Sequence, residues 1–523
     1  MFNWINKKVK VSHFKHQQRK TSQTSTPISP ILSENFENLN RLFSGNSDIT
    51  FRNFTIGKNM EVSAFIIGIE GLFDKSIISN NVIKPLMECM NDECSNLNHK
   101  IELEIQSVVS VSSIHIETEM QVAIQKLMKG DPLLFINGIN KAYIIGARAW
   151  ETRSIEEPVT ETTVRGPREA FSETLGINTA LLRRKIHHPN LMIEPMTLGT
   201  YSQTDIAIAF IDEIASKEIV SELLTRLKRI DVDAILDSGY IEELIEDNPY
   251  SIFPDIKHTE RPDTVAARLL EGRVAIMVEG TPTALIVPFL FMEAFQSVDD
   301  YYSRSYYSSL MRVFRIFSFI IATLLPATYV AAQNYHKEMF PTDFLISVAA
   351  AREGVPFPLF IEVLLMVIAF EMLKESGIRM PTPVGQAVAI VGGLVLGEAA
   401  VQAGIVGTIT VIVIATTAIA TFLTPNLNDA VGILRIVYLI SAGLLGVFGI
   451  TLVVSFVLIH LVSMRSFSIP YMSPLTPITW SGWRDLFIRF PHWAFNQRPA
   501  FIPNENQKRQ GDNQKPSPPS KGD

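Results

Sequence analysis

The sequence predicts a cytoplasmic α/β N-terminal module of two subdomains followed by a polytopic α-helical membrane domain. Three observations predict it. Charged residues lie densely through the first three hundred positions and thin out from Ser318 to Val462. Short apolar runs alternate with amphipathic stretches in the first part. In the second, five apolar segments each approach the ~20 residues that cross a bilayer as a helix.

The 523 residues suffice for three or four domains. They are 47% hydrophobic and 19% charged, with a mean hydropathy of +0.19. Charge segregated in this way excludes a wholly soluble enzyme. The net charge of −7, from 46 basic and 53 acidic residues, argues against nucleic acid as a partner. Two cysteines, Cys89 and Cys94, are too few for a disulfide framework or a four-cysteine zinc site, and no metal or cofactor is expected.

Residues 1–30 read as a disordered basic tail, with Lys7, Lys8, Lys10, Lys15, Arg19 and Lys20. No apolar run follows those charges as a secretory signal requires. Residues 31–160 form the first α/β subdomain. Val62–Ile69 is a buried strand, Ile83–Met90 is helical, and Ile101–Val111 is a strand or a short helix. Leu133–Ile136 and Lys141–Ala147 flank the turn signal Asn137-Gly138 as a hairpin. The charged stretch Trp150–Arg168 marks the boundary to the second subdomain, residues 161–300. There Asp205–Phe210 is strand-like, and Lys217–Arg229 spaces Ile219, Val220, Leu223, Leu224 and Leu227 as a helix does. Ala234–Leu236, Val274–Val278 and Thr283–Val287 are further strands. Strands alternating with helices predict a partly parallel sheet. No phosphate-cradling glycine loop, GxSxG elbow or other catalytic constellation appears, so no enzyme is expected.

The membrane domain covers residues 301–465, with apolar segments at Ile316–Ala332, Leu359–Leu373, Val384–Ala403, Ile405–Leu423 and Ile433–Val462. Tyr301, Tyr302, Tyr306 and Tyr307 would sit at headgroup level, and Arg304, Arg312 and Arg315 place the module on the cytoplasmic side. Residues 466–503 read as a cytoplasmic segment and 504–523 as a disordered tail. Both ends inside require an even number of crossings, against five segments. The third and fourth segments, meeting at Ala403-Gly404, supply one candidate for a re-entrant element, and Thr342–Arg352 another. Pro326 and Val355–Pro358 are read as helix interrupters.

Carboxylates at membrane depth are costly and face a bundle interior or a wet path. Glu398 and Gln402 share one helix face at i, i+4, and Glu362 and Glu371 flank the second segment. These four residues form an ion-path or gating hypothesis, with buried structural hydrogen bonding as the other reading. Gly393, Gly397, Gly446 and Gly449 are small-residue positions for close helix packing.

Several long strings carry a resemblance. Arg165–Ile186 (RGPREAFSETLGINTALLRRKI), Thr259–Asp263 (TERPD), Leu269–Pro288, Pro341–Pro358, Glu371–Gln386, Ile390–Gly404 and Arg465–Pro474 resemble the signatures of the GerA family of spore germination proteins, A-subunit type. The resemblance spans about Asn46 to Pro499. It implies a nutrient-sensing germinant receptor in the spore inner membrane, with the module on the spore-core side. The partners it implies are a transporter-like B subunit that binds the nutrient, a lipoprotein C subunit, membrane lipid, and further copies of this chain in a homo-oligomeric, pentameric ring that opens as a cation channel. A non-conducting scaffold subunit is the alternative, and a secondary transporter ranks last for want of an internal repeat in the helices. Arg165, Arg168, Glu169, Glu260, Arg261 and Asp263 are read as structural or coupling residues joining the module to the membrane, with Arg168 and Glu169, and Glu260 with Arg261, as salt-bridge partners within or between subunits. Gly176 is expected to bend or end a helix from its interior, at a cost of roughly 1 kcal/mol relative to Ala.

Overall fold

The structure, a computed structural model, describes residues 26–57, 62–88, 108–149, 157–158, 161–379, 392–393, 395, 397–478, 482–511 and 514–517. Cys89, Cys94, residues 101–107, most of the basic tail and much of the third apolar segment lie outside the described residues. The chain divides into two compact units, Met1–Glu151 with His187–Pro189, and Thr152–Ile186 with Asn190–Asp523.

The first unit runs α1 (Leu32–Leu42), β1 (Ile49–Ile56), β2 (Val62–Ile69), a helical stretch over residues 75–88, β3 (Ile114–Glu117), α2 (Met120–Leu127), β4 (Leu133–Ile136) and β5 (Ala142–Ile145). Its sheet has the order β1-β2-β4-β5-β3. VSAFIIGI is nearly all apolar because β2 is a central strand, buried except at Ser63. Phe65 stacks on its cross-strand partner Phe135 at 4.9 Å. Asp74 starts the helical stretch by accepting the amides of Ser76 and Ile77. Ile28 is buried, its amide bonded to the Thr118 carbonyl at 3.0 Å, so order begins ahead of Ile31.

The second unit opens with α3 (Leu175–Lys185), β6 (Leu191–Leu198), β7 (Thr204–Ile211), α4 (Lys217–Lys228), α5 (Ser238–Ile245), β8 (Lys257–Thr259), α6 (Pro262–Leu269), β9 (Val274–Val278) and β10 (Ala284–Val287). The sheet order is β6-β7-β9-β10-β8, the first unit's order repeated. Alternation along β7 sends Ile206, Ile208 and Phe210 into a core with α4 and α5. Ala207, Ala209 and Ile211 enter the opposite core with α3 and α6. Helices therefore cover both faces.

Three expectations are corrected. Among the described residues all strand pairings are antiparallel, not partly parallel: hairpins join β1–β2, β4–β5, β6–β7 and β9–β10, and the pairs β2–β4, β3–β5, β7–β9 and β8–β10 between non-consecutive strands run antiparallel as well. Ala234–Leu236 is not a strand: Ser202 Oγ accepts the Ile235 amide at 3.1 Å and Thr204 Oγ1 donates to its carbonyl at 2.8 Å, so side chains replace the ladder. Gly176 lies in the first turn of α3, behind the N-cap Thr174, and not in a helix interior.

The helical region contains α7 (Ser305–Tyr335), α8 (Thr342–Ala351), α9 (Leu359–Arg379), helical residues 397–402, α10 (Thr408–Phe422) and α11 (Asn428–Ser463). Ser305–Tyr335 and Pro425–Ser463 are long and apolar enough to cross a bilayer. The second is not straight. At Gly446 the backbone takes φ 61° and ψ −141°, a conformation for glycine alone. Asn426, ahead of α11, donates to the Ala294 carbonyl at 3.1 Å, while His460 near its end meets Ser251 at 2.9 Å. The Phe253 ring lies 6.3 Å from His460 and 5.8 Å from Phe291, so both ends reach the same patch of the α/β part. A straight helix of 36 residues would separate its ends by about 54 Å. Residues 428–445 and 447–463 are thus two arms of a hairpin, each about 26 Å long. Among the described residues the fifth apolar segment, which was not among the candidates, contains an irregular element.

Candidate functional site

Two sets of buried charge stand out, one where the α/β part meets α7 and one among the helices.

At the junction, Arg261 caps α6 with Pro262 in the first helical turn, and its side chain is fully buried. It grips Asp263 twice, Nε to Oδ1 at 3.1 Å and Nη2 to Oδ2 at 2.8 Å. The remaining N–H groups donate to the carbonyls of Glu161 (3.2 Å) and Pro167 (2.8 Å) and to Thr163 Oγ1 (3.1 Å). Tyr302, just ahead of α7, donates its hydroxyl to Asp263 Oδ2 at 2.5 Å. Burial, then the Asp263 bond, pushes that phenol above its ordinary range. Gly166 makes room for the Tyr302 ring: a Cβ there would lie 2.7 Å from it, and φ is +137°. The RGPRE and TERPD strings thereby close on one tyrosine.

The other predicted motif residues sit apart. Glu169 is held by Arg184 at 3.0 Å and by Lys185 at 2.5 Å on α3. Burial alone would raise its carboxyl, but the Lys185 and Arg184 bonds outweigh it and hold it low. Arg168 pairs with Glu157 at the surface, 3.2 Å apart, and Arg165 is exposed. Glu260 offers its carbonyl to the Phe171 amide at 2.8 Å. Within this chain, then, Arg168 turns to Glu157, Glu169 to Arg184 and Lys185, and Arg261 to Asp263, where the helix start presents a carboxylate at bidentate reach.

Below this clamp, Asp300 (2% exposed) receives Arg312 at 2.9 Å and Arg315 at 2.9 Å. Arg312 also reaches Asp485 at 2.7 Å, and Tyr301 donates to the same carboxylate at 2.7 Å. Burial raises the Asp485 carboxyl, against the pull of Arg312 and Tyr301. Tyr301, Tyr302, Arg312 and Arg315 thus turn toward protein, whereas Tyr306 and Tyr307 are exposed. Sequence reasoning missed this cluster because Asp485 lies 173 positions from Arg312.

Among the helices, Arg435 is 1% exposed. Its Nε donates to the Ala322 carbonyl at 2.9 Å, four residues before Pro326. Proline has no N–H to give that carbonyl, so the arginine supplies one and α7 continues through Pro326. Arg435 also meets Glu371 at 2.8 Å and Thr421, and Lys374 closes on Glu371 at 2.8 Å. Glu362, fully buried, accepts the Gly407 amide at 2.8 Å ahead of α10 and pairs with Arg352 at 3.3 Å. Glu398 differs: it is exposed, and Gln402 donates to its Oε1 at 3.0 Å.

The glycines divide likewise. A Cβ on Gly397 would sit 3.3 Å from Val411 of α10, while Gly393 has open space. Gly446 makes the reversal of α11, with the Tyr335 ring 2.9 Å from where its Cβ would be. Tyr335 donates to the Gly443 and Leu444 carbonyls at 2.7 and 3.2 Å. A Cβ on Gly449 would strike the Ser441 carbonyl of the facing arm. Among the described residues no group of His, Cys, Asp and Glu is arranged to hold a metal.

Comparison with known proteins places these features in context. A family model described as Bacillus/Clostridium GerA spore germination protein matches residues 37–501. Spore germination protein KA of Bacillus subtilis is 43% identical over 94% of this chain and 90% of its own length. Spore germination protein GerLA of Bacillus cereus is 40% identical, covering 87% of this chain and 92% of that one. The N-terminal domain of the A subunit of the Bacillus megaterium spore germinant receptor GerK3, a crystal structure, aligns at 36% identity with a TM-score of 0.41, over 51% of this chain and 99% of that one.

Proposed function

This chain belongs to the GerA family of spore germination proteins, as an A-subunit-type member, and from that premise we propose that it is the oligomer-forming, cation-conducting subunit of a nutrient-gated germinant receptor in the spore inner membrane. Its partners in this reading are a nutrient-binding, transporter-like B subunit, a lipoprotein C subunit and further copies of itself, five to a ring. It carries out no catalysis. The module faces the spore core. α7 leaves the α/β part and the second arm of α11 returns to it, which supports an even number of crossings. With the two arms counted separately, the apolar segments number six.

The observation that carries the conducting reading is Glu398, an exposed carboxylate on an apolar helix. Such a group in a bilayer calls for a water-filled path, and a ring of them attracts cations. The test is cation release from spores carrying the whole receptor with Glu398→Gln or Glu398→Lys, at matched protein levels. Neutralisation slows release and the lysine stops it. Unchanged release in both removes Glu398 from the ion path. One observation favours the scaffold alternative: Glu362 and Glu371 are already matched by Arg352, Arg435 and Lys374. In that reading the helices relay nutrient occupancy to a separate channel.

A further inference from the structure

Between Ile230 and Ile256 the chain carries eight acidic residues and no Lys, Arg or His. Helix α5 lies within this stretch, with Ile241 and Ile245 sunk in the sheet core. Its other flank is not wholly polar. Tyr240 and Leu244, one turn apart, are 47% and 39% exposed, and Leu236 just ahead of the helix is 67% exposed. Residues four apart share a helix face, so these side chains make an apolar stripe, with Asp237 and Glu243 exposed beside it. An exposed apolar patch rimmed by charge marks a docking surface.

The charge specifies the occupant. From α4, Arg226 covers Asp247 at 2.6 Å and Glu222 at 2.8 Å. From the C-terminal segment, Phe467 gives its amide to Asp247 and Arg465 gives only its carbonyl, to Asn248. Among the described residues no Lys or Arg pairs with Glu242, Glu246 or Asp255. Asp255 is 3% exposed and its Oδ1 meets no donor. Burial, and then Glu246, Asp255 and Asp237, push the Glu242 carboxyl up to about 7. This concentration of like charge is relieved by a cationic partner. The stretch also meets the end of α11, through Ser251 and His460 at 2.9 Å. Membrane proteins concentrate Lys and Arg on the cytoplasmic segments next to their helix ends.

We propose that the Leu236–Tyr240–Leu244 stripe and its acidic flank dock a basic, apolar-bearing cytoplasmic segment adjoining a membrane span of a partner chain in the same receptor. The inference rests on the membrane-receptor reading above.

A photo-crosslinking residue placed at Tyr240 of the full-length chain, co-expressed with its receptor partners in native membranes, tests it. The expected adduct maps to a Lys/Arg-rich segment of a partner. Its yield falls about tenfold in Glu243→Lys and in Tyr240-flanking Leu244→Ser, and falls as salt rises from about 0.1 to 0.5 M. It is greater at pH 8 than at pH 6, where Glu242 holds its proton. All the substituted side chains are exposed, so the fold is retained. Adducts to lipid or to a second copy of this chain, or yields indifferent to Glu243→Lys and salt, overturn the docking assignment. If partners still co-purify in that case, the receptor reading stands and the docking surface falls. Absence of any co-purifying partner overturns both.

Discussion

Arg261 spreads its guanidinium over one carboxylate, two carbonyls and a hydroxyl, all out of water. Removing one partner of a buried pair leaves the other charge unmatched, at about 3–5 kcal/mol. Arg261→Ala is accordingly expected to lower the unfolding midpoint of the detergent-solubilised chain sharply. Arg261→Lys should recover little of it, because an ammonium cannot span the same acceptors. A second residue gives a pH signature. Lys257 is 7% exposed, and burial, joined by the like charge of Arg268, lowers its ammonium to about 8 against the pull of Glu161 and Glu293. The native state therefore holds this proton less tightly than the unfolded chain. Its penalty is full below pH 8, and stability rises as pH climbs from about 8 toward 10.5. Lys257→Met should stabilise the chain at pH 7 and flatten that rise; unfolding midpoints at neutral and alkaline pH measure both effects. At this scale the sequence is partly legible. TERPD and RGPRE stand out as strings, and Pro326 stands out as a proline, but Arg435 lies 113 positions from the carbonyl it serves. A side chain's partner is set by tertiary placement, to which local pattern is blind.

Individual elements were legible where one periodicity governed them. The β2 run, the hairpin at Asn137-Gly138, β7, α4 and β9 follow from apolar spacing and turn chemistry. Short edge pieces such as β3 and β8 did not, since three or four residues carry too little pattern. The parallel sheet was misjudged because alternation of strands and helices does not record direction. α11 shows a different failure: its apolar run continues through the break with no charge or proline to mark it. Its glycines were read as packing positions, yet Gly446 sets the reversal. Gly446→Ala places a Cβ against Tyr335 in a backbone region closed to L-residues. The expected result is loss of folded protein, seen as reduced membrane accumulation. Tyr335→Phe is milder. It removes an exposed phenol donor from two carbonyls, a net loss of about 0.5–1.5 kcal/mol, and should lower the melting midpoint slightly without abolishing accumulation.

For the whole molecule, the hairpin changes topology. A cysteine introduced at Val447 should react with a membrane-impermeant maleimide from the side opposite the α/β part, and one at Ser468 from the same side as it. Labelling of both from one side would remove the two arms as crossings. The mass of the gently solubilised chain, measured with its co-expressed partners by native mass spectrometry, decides the ring: four to six copies give a central axis, and a monomer hands the lead to the scaffold reading. The GerA assignment and the two α/β subdomains were readable from long strings and run lengths. The repeated strand order was not, because strand order is set by which runs pair in space, and local pattern does not record that.

The reversal at Gly446 also bears on how the chain is made. Its turn is a single residue with apolar neighbours on both sides, so a translocation channel receives no polar loop at which to pause between the arms. The first arm carries Asp429 and Arg435, and Arg465 follows the second, but no charge lies at the turn between them. Two arms joined this tightly would enter a bilayer as one insertion event, with Arg465 behind them as the positive charge retained on the side of entry.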